Sequence, residues 1–80
     1  MTKVKVLIST MDDLKKFVNI ISQFDYDFDL ESGRYVVDAK SIMGCFSLFT
    51  EGNNAPIDLI IHTDEDTTEV LRSIDTYLIK

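Results

Sequence analysis

Hydrophobic and polar positions alternate along the first part of the chain. Val4, Val6 and Ile8 fall on one side of an extended segment, Lys3 and Lys5 on the other, so Lys3–Ser9 reads as a half-buried strand. The period then changes. Leu14, Phe17, Val18, Ile21 and Phe24 recur at helical spacing, Thr10 is placed to cap that helix, and Asp12 and Asp13 lie in its first turn, where the helix dipole favours negative charge. Period two returns over Asp25–Glu31, with Tyr26, Phe28 and Leu30 predicted inward and Asp25, Asp27, Asp29 and Glu31 outward. Ser32-Gly33-Arg34 is a tight turn into Tyr35–Asp38, which closes a hairpin.

Ser41 caps a short helix that carries Ile42, Met43, Phe46 and Phe49. Of these, Ile42 and Met43 are expected to be exposed, and Leu48 buried. Glu51–Pro56 is a loop by its Gly, Asn and Pro content, and Ile57–Ile61 is a nearly continuous apolar strand. Thr63 or Asp64 is expected to cap a final helix whose Val70, Leu71, Ile74, Tyr77 and Leu78 share one face. The order is βαββαβα. The expected class is α+β, an open-faced β-sandwich with a four-stranded antiparallel sheet and three helices on one face. An antiparallel sheet allows the acidic side of the second strand to stay in water. No repeat or linker divides the chain, so residues 1–80 are expected to form a single domain.

Composition narrows the function classes. The 80 residues are 45% hydrophobic, enough for a small core. No apolar run nears the ~20 residues of a membrane span, and the N-terminal segment has no apolar run or cleavage site of a secretory signal. Fourteen acidic residues against eight basic ones give a net charge of −6, with no basic stripe to neutralise a nucleic-acid backbone. Cys45 is the one cysteine, which excludes an intramolecular disulfide and suits a reducing cytoplasm. Cys45 is expected to behave as a small hydrophobe, with a pKa lowered somewhat by the nearby helix N-terminus. The acidic ladder lacks the spacing of a calcium loop, since Leu30 and Val36 stand where the loop needs Gly and Glu. Neither a metal site nor a cofactor is implied. His62, the one histidine, ends the last strand and has no ligand partner at metal spacing in the sequence.

Lys40-Ser41-Ile42-Met43-Gly44-Cys45-Phe46-Ser47-Leu48 resembles the regulatory-serine region of HPr phosphocarriers from Gram-positive bacteria. There a Lys-Ser-Ile-Met-Gly run opens the second helix, and its serine is phosphorylated by a dedicated kinase. The βαββαβα order is also that of HPr, and Asp25–Ala39 follows the family's hairpin pattern without a gap. The resemblance departs at the first strand–helix junction. HPr carries a Gly-apolar-His-Ala/Thr-Arg-Pro stretch there, whose histidine accepts phosphate from phosphoenolpyruvate by way of the first enzyme of the sugar phosphotransferase system. This chain has Ser9-Thr10-Met11-Asp12-Asp13 instead. A phosphohistidine site needs a ring nitrogen and positive charge or free helix N–H groups, whereas Asp12 and Asp13 repel a phosphoryl dianion.

The resemblance therefore implies a non-enzymatic, cytoplasmic, histidine-lacking member of the catabolite-repression type, in which such proteins serve as corepressors for a transcription regulator. It implies Ser41 as a regulatory phosphorylation site for an HPr kinase. It also implies that Lys40, Ile42, Met43 and Phe46 bind protein partners, either phosphotransferase-system components or a regulator, with no direct nucleic-acid contact and no membrane insertion. Two alternatives stand beside this. One is a degenerate HPr-fold structural or oligomerising module in which Ser41 is only a cap. The other is an active phosphocarrier using another residue such as His62.

Overall fold

The computed structural model describes residues 1–49 and 56–79. Its elements are β1 (Thr2–Val6), α1 (Met11–Ile21), β2 (Asp27–Ser32), β3 (Tyr35–Asp38), α2 (Ile42–Phe49), β4 (Ile57–His62) and α3 (Thr68–Ser73), followed by a 3₁₀ turn (Asp75–Tyr77). The strands form one antiparallel sheet in the order β1-β4-β2-β3. The expected α+β open-faced sandwich is the fold observed. Of the loop expected over Glu51–Pro56, residues 51–55 lie outside the described residues, as does the side chain of Phe49.

Pairing partners set where the strands end. β4 starts at Ile57, opposite Val6, so the predicted continuation of β1 to Ser9 has nothing to pair with on that strand. Leu7 instead donates its N–H to the Tyr77 carbonyl at 2.8 Å. At the other end, β4 stops at His62 opposite Asp27, so β2 begins two residues later than its alternation suggested. The β2–β3 turn is Gly33-Arg34, between the paired Ser32 and Tyr35. Gly33 has φ +60°, the one positive φ among the described residues, which matches a two-residue turn needing the left-handed region at its first position.

One side of the sheet is buried. Phe28, Leu30, Leu59 and Ile61 point into a core completed by Leu14, Phe17 and Ile21 of α1, Cys45 and Leu48 of α2, and Val70 and Ile74 from the C-terminal segment. Phe17 and Tyr77 meet edge to face, ring centroids 5.6 Å apart. Thr10 caps α1 as expected, its Oγ1 accepting the Asp13 N–H at 3.1 Å.

The other side carries the charges. Lys5 pairs with Asp58 at 2.9 Å, and Lys3 reaches both Asp58 (3.7 Å) and Glu31 (3.4 Å). The hydrogen bond from Lys5 is the main cause that holds the Asp58 carboxyl below the usual carboxylate range. Of the outward acidic residues of β2, Glu31 is thus tied across strands to Lys3 and Asp29 to His62, while Asp27 is exposed to solvent.

Three expectations are corrected. The last helix begins at Thr68, not after Thr63 or Asp64: Thr63 Oγ1 accepts the Glu65 N–H, and Asp66 Oδ1 accepts both the N–H and the hydroxyl of Thr68, so two local turns occupy the stretch. The helix ends at Ser73 because the chain then tightens and returns to β1, where Leu78 bridges Val6 and Ile79 donates to the Lys5 carbonyl. Cys45 is buried with its Sγ towards the carbonyl of Ala39, and burial first, then the Asp38 charge, pushes its thiol up to about 11 rather than down. Ile42, expected exposed, is half-buried against the core edge, while Leu48 is buried as expected.

Phe17→Ala should cost about 3–5 kcal/mol. A domain of this length has a total stability of roughly 4–12 kcal/mol, so the variant should be largely unfolded or melt far below wild type by circular dichroism. Alkylation of Cys45 should be slow near pH 8 and quicken towards pH 11. Because the folded thiol pKa lies above its unfolded value of about 8.5, the stability linked to that thiol is intact below the lower value and lost as pH rises towards about 11. Denaturant titrations across that range check the sign.

Candidate functional site

The residues singled out in Lys40–Phe46 gather where β3 turns into α2. Ala39 is fully buried and donates its N–H to the Phe28 carbonyl at 2.9 Å, anchoring the corner. Asp38 organises the turn: its Oδ1 accepts the Lys40 N–H at 2.9 Å and its carbonyl accepts the Ser41 N–H at 3.0 Å. Ser41 is then in place as the cap, with its exposed Oγ accepting the Gly44 N–H at 3.3 Å and its carbonyl accepting the Cys45 N–H at 3.0 Å.

α2 has no charged residue along its length. Cys45 and Leu48 form its buried side. Met43 is 75% exposed, and Ile42 and Phe46, one turn apart, are half-buried beside it. The helix therefore presents an apolar surface centred on Met43, next to the Ser41 hydroxyl. Met is unbranched and polarizable, which suits a surface that adapts to a partner.

Lys40 behaves differently from its neighbours. Its Nζ donates to the Phe24 carbonyl at 2.6 Å, near the end of α1, and lies 5.4 Å from the centre of the Phe28 ring. The ammonium ties α2's entry to the α1–β2 connection. Phe24, Tyr26 and Phe28 continue this contact as a chain of rings with successive centroids 6.4 Å apart. No spacing in the sequence signals that inward turn, because a lysine before a helix cap is most simply read as solvated.

At the β1–α1 junction, Thr10 occupies the helix N-terminus through Asp13, and the Leu14 N–H goes to the Thr10 carbonyl at 3.0 Å. Asp12 is exposed there. His62 lies elsewhere. It alternates with buried Leu59 and Ile61 at the end of β4, on the face of the sheet away from the helices, and its Nε2 is 2.8 Å from Asp29 Oδ2. That partner was missed in the sequence because it lies 33 residues away; pairing β2 against β4, Asp27 opposite His62, brings Asp29 into diagonal reach. Among the described residues, no three His, Cys, Asp or Glu side chains converge as a metal site, and no helix is long and apolar enough to cross a membrane.

No family model matches the chain, and no curated protein does. Solved structures do match. The crystal structure of HPr-C-His from Thermoanaerobacter tengcongensis has a TM-score of 0.75 to this chain at 25% identity, covering 95% of this chain and 89% of that one. With the element order, the sheet order and this likeness together, the protein is HPr-like.

Proposed function

We propose that the protein is a non-catalytic, cytoplasmic, HPr-like component of a bacterial sugar phosphotransferase system, lacking the phosphoacceptor histidine and acting through protein contacts at α2. The observation that carries this is the pairing of an acid-lined junction with an open docking helix. A phosphoryl group arriving at α1 would meet Asp12 and Asp13 and a helix end already bonded to Thr10. The imidazole of His62 is on the opposite side of the sheet, held by Asp29.

Ser41 is the proposed switch and an HPr kinase its modifying enzyme. A phosphate there would add about −1.5 to −2 charge at a helix N-terminus. The helix dipole accommodates that charge, and the Gly44 N–H now bonded to the hydroxyl can be taken over by a phosphate oxygen. The Asp38 carboxylate opposes it, and Lys40 offsets it only by leaving the Phe24 carbonyl. Phosphorylation thus changes the charge of the surface beside Met43 more than the fold. The partner is a phosphotransferase-system protein or a transcription regulator with an apolar surface for Met43, Ile42 and Phe46.

Incubation with phosphoenolpyruvate and the first enzyme of the system should leave no acid-labile label on the protein; label at His62 would overturn the reading. With ATP and an HPr kinase, wild type should gain the mass of one phosphate and Ser41→Ala none. If wild type also stays unmodified, the switch at Ser41 is wrong and a purely structural module is favoured. Ser41→Ala should itself cost only about 1 kcal/mol as a lost cap, measurable by thermal unfolding.

A further inference from the structure

The two edges of the sheet are treated differently. The outer edge of β1 is occupied by the chain's own C-terminal segment, through Leu7 to Tyr77, Ile79 to Lys5 and the Val6–Leu78 bridge. No described strand pairs with the outer edge of β3. Ala39 donates towards β2, and in an antiparallel ladder successive residues point to opposite sides. Tyr35 and Val37 therefore also face β2, and the Val36 N–H and C=O point outward. An open apolar edge is a template for another strand. Tyr35 is 64% and Val36 54% exposed, so the edge is apolar as well as open.

The flanking charges single out what fits it. Among the described residues, Arg34, which precedes the strand, makes no ion pair, and the carboxylate of Asp38, which ends it, bonds only the Lys40 N–H. A second copy of β3 laid antiparallel about Val36 puts Arg34 opposite Asp38 twice, once in each direction, with Tyr35 opposite Val37. We propose that β3 is a self-association edge, through which two copies of this chain pair antiparallel about Val36 into one continuous eight-stranded sheet closed by reciprocal Arg34–Asp38 ion pairs. The strand has four residues, so the contact lies below the ~1,000 Å² of a stable interface. The dimer is weak, concentration-dependent and weakened by salt.

Sedimentation velocity from micromolar to millimolar protein tests this. Wild type should shift from monomer towards dimer. Val36→Pro removes an N–H that the monomer does not use and should stay monomeric with an unchanged circular dichroism spectrum. Arg34→Glu sets like charges opposite each other and should raise the dimer Kd about tenfold or more. Asp38→Arg should do the same alone, while a mixture of Arg34→Glu and Asp38→Arg should associate more strongly than either, because both pairs are again complementary. Should Asp38→Arg fail to fold, the Arg34→Glu and Val36→Pro comparisons decide. A wild type that stays monomeric at millimolar concentration overturns the proposal. So does a Val36→Pro variant that dimerises as wild type does, or a mixture of folded variants no more associated than its components.

Discussion

Burial of one face of β2 and β4 is the constraint on which the rest of the molecule depends. β4 lies between β1 and β2 and pairs with both, so Leu59 and Ile61 sit at the middle of the sheet, with Phe28 and Leu30 beside them. Those residues need a cover, and α1 supplies it with Leu14, Phe17 and Ile21. In so small a domain most of the chain serves that single core. Because side chains alternate along a strand, burying one set commits the other to solvent, and a shift of one residue would exchange the two.

That commitment explains the charged face. Lys3, Lys5, Asp58, Glu31, Asp29 and His62 alternate with core residues and meet across strands because the register brings them together. Exposed pairs of this kind contribute little each. The register sets Glu31 directly opposite Asp58, and Lys3 reaches both, so the cation offsets a like-charge contact that the pairing itself creates.

α2 is under two demands that its sequence meets with an almost wholly apolar composition. Cys45 and Leu48 complete the core, and the same short helix leaves Met43 in water beside the Ser41 cap. An apolar helix in a small domain would ordinarily be covered on all sides. The corner that presents it is held by Asp38, by buried Ala39 and by the Lys40 ammonium on the Phe24 carbonyl, all within the turn from β3. The β1–α1 junction, by contrast, is finished by its own acidic residues and the Thr10 cap.

By itself the sequence determined the element order, the α+β class, the Thr10 and Ser41 caps and most of the core, because periodicity and capping are local properties of the chain. The Lys40–Gly44 run and the absence of a histidine at Ser9–Asp13 were equally legible, each being a matter of which residues stand together. Tertiary structure decided what depends on partners distant in sequence. Strand ends followed the reach of β4, the last helix was shortened so that Leu78 and Ile79 could close the β1 edge, and Asp29 was placed beside His62. It also turned Lys40 inward, drew Ile42 halfway into the core edge and raised the Cys45 thiol instead of lowering it. In each case the cause is desolvation or contact that arises only once the sheet has paired and the helices have packed on it.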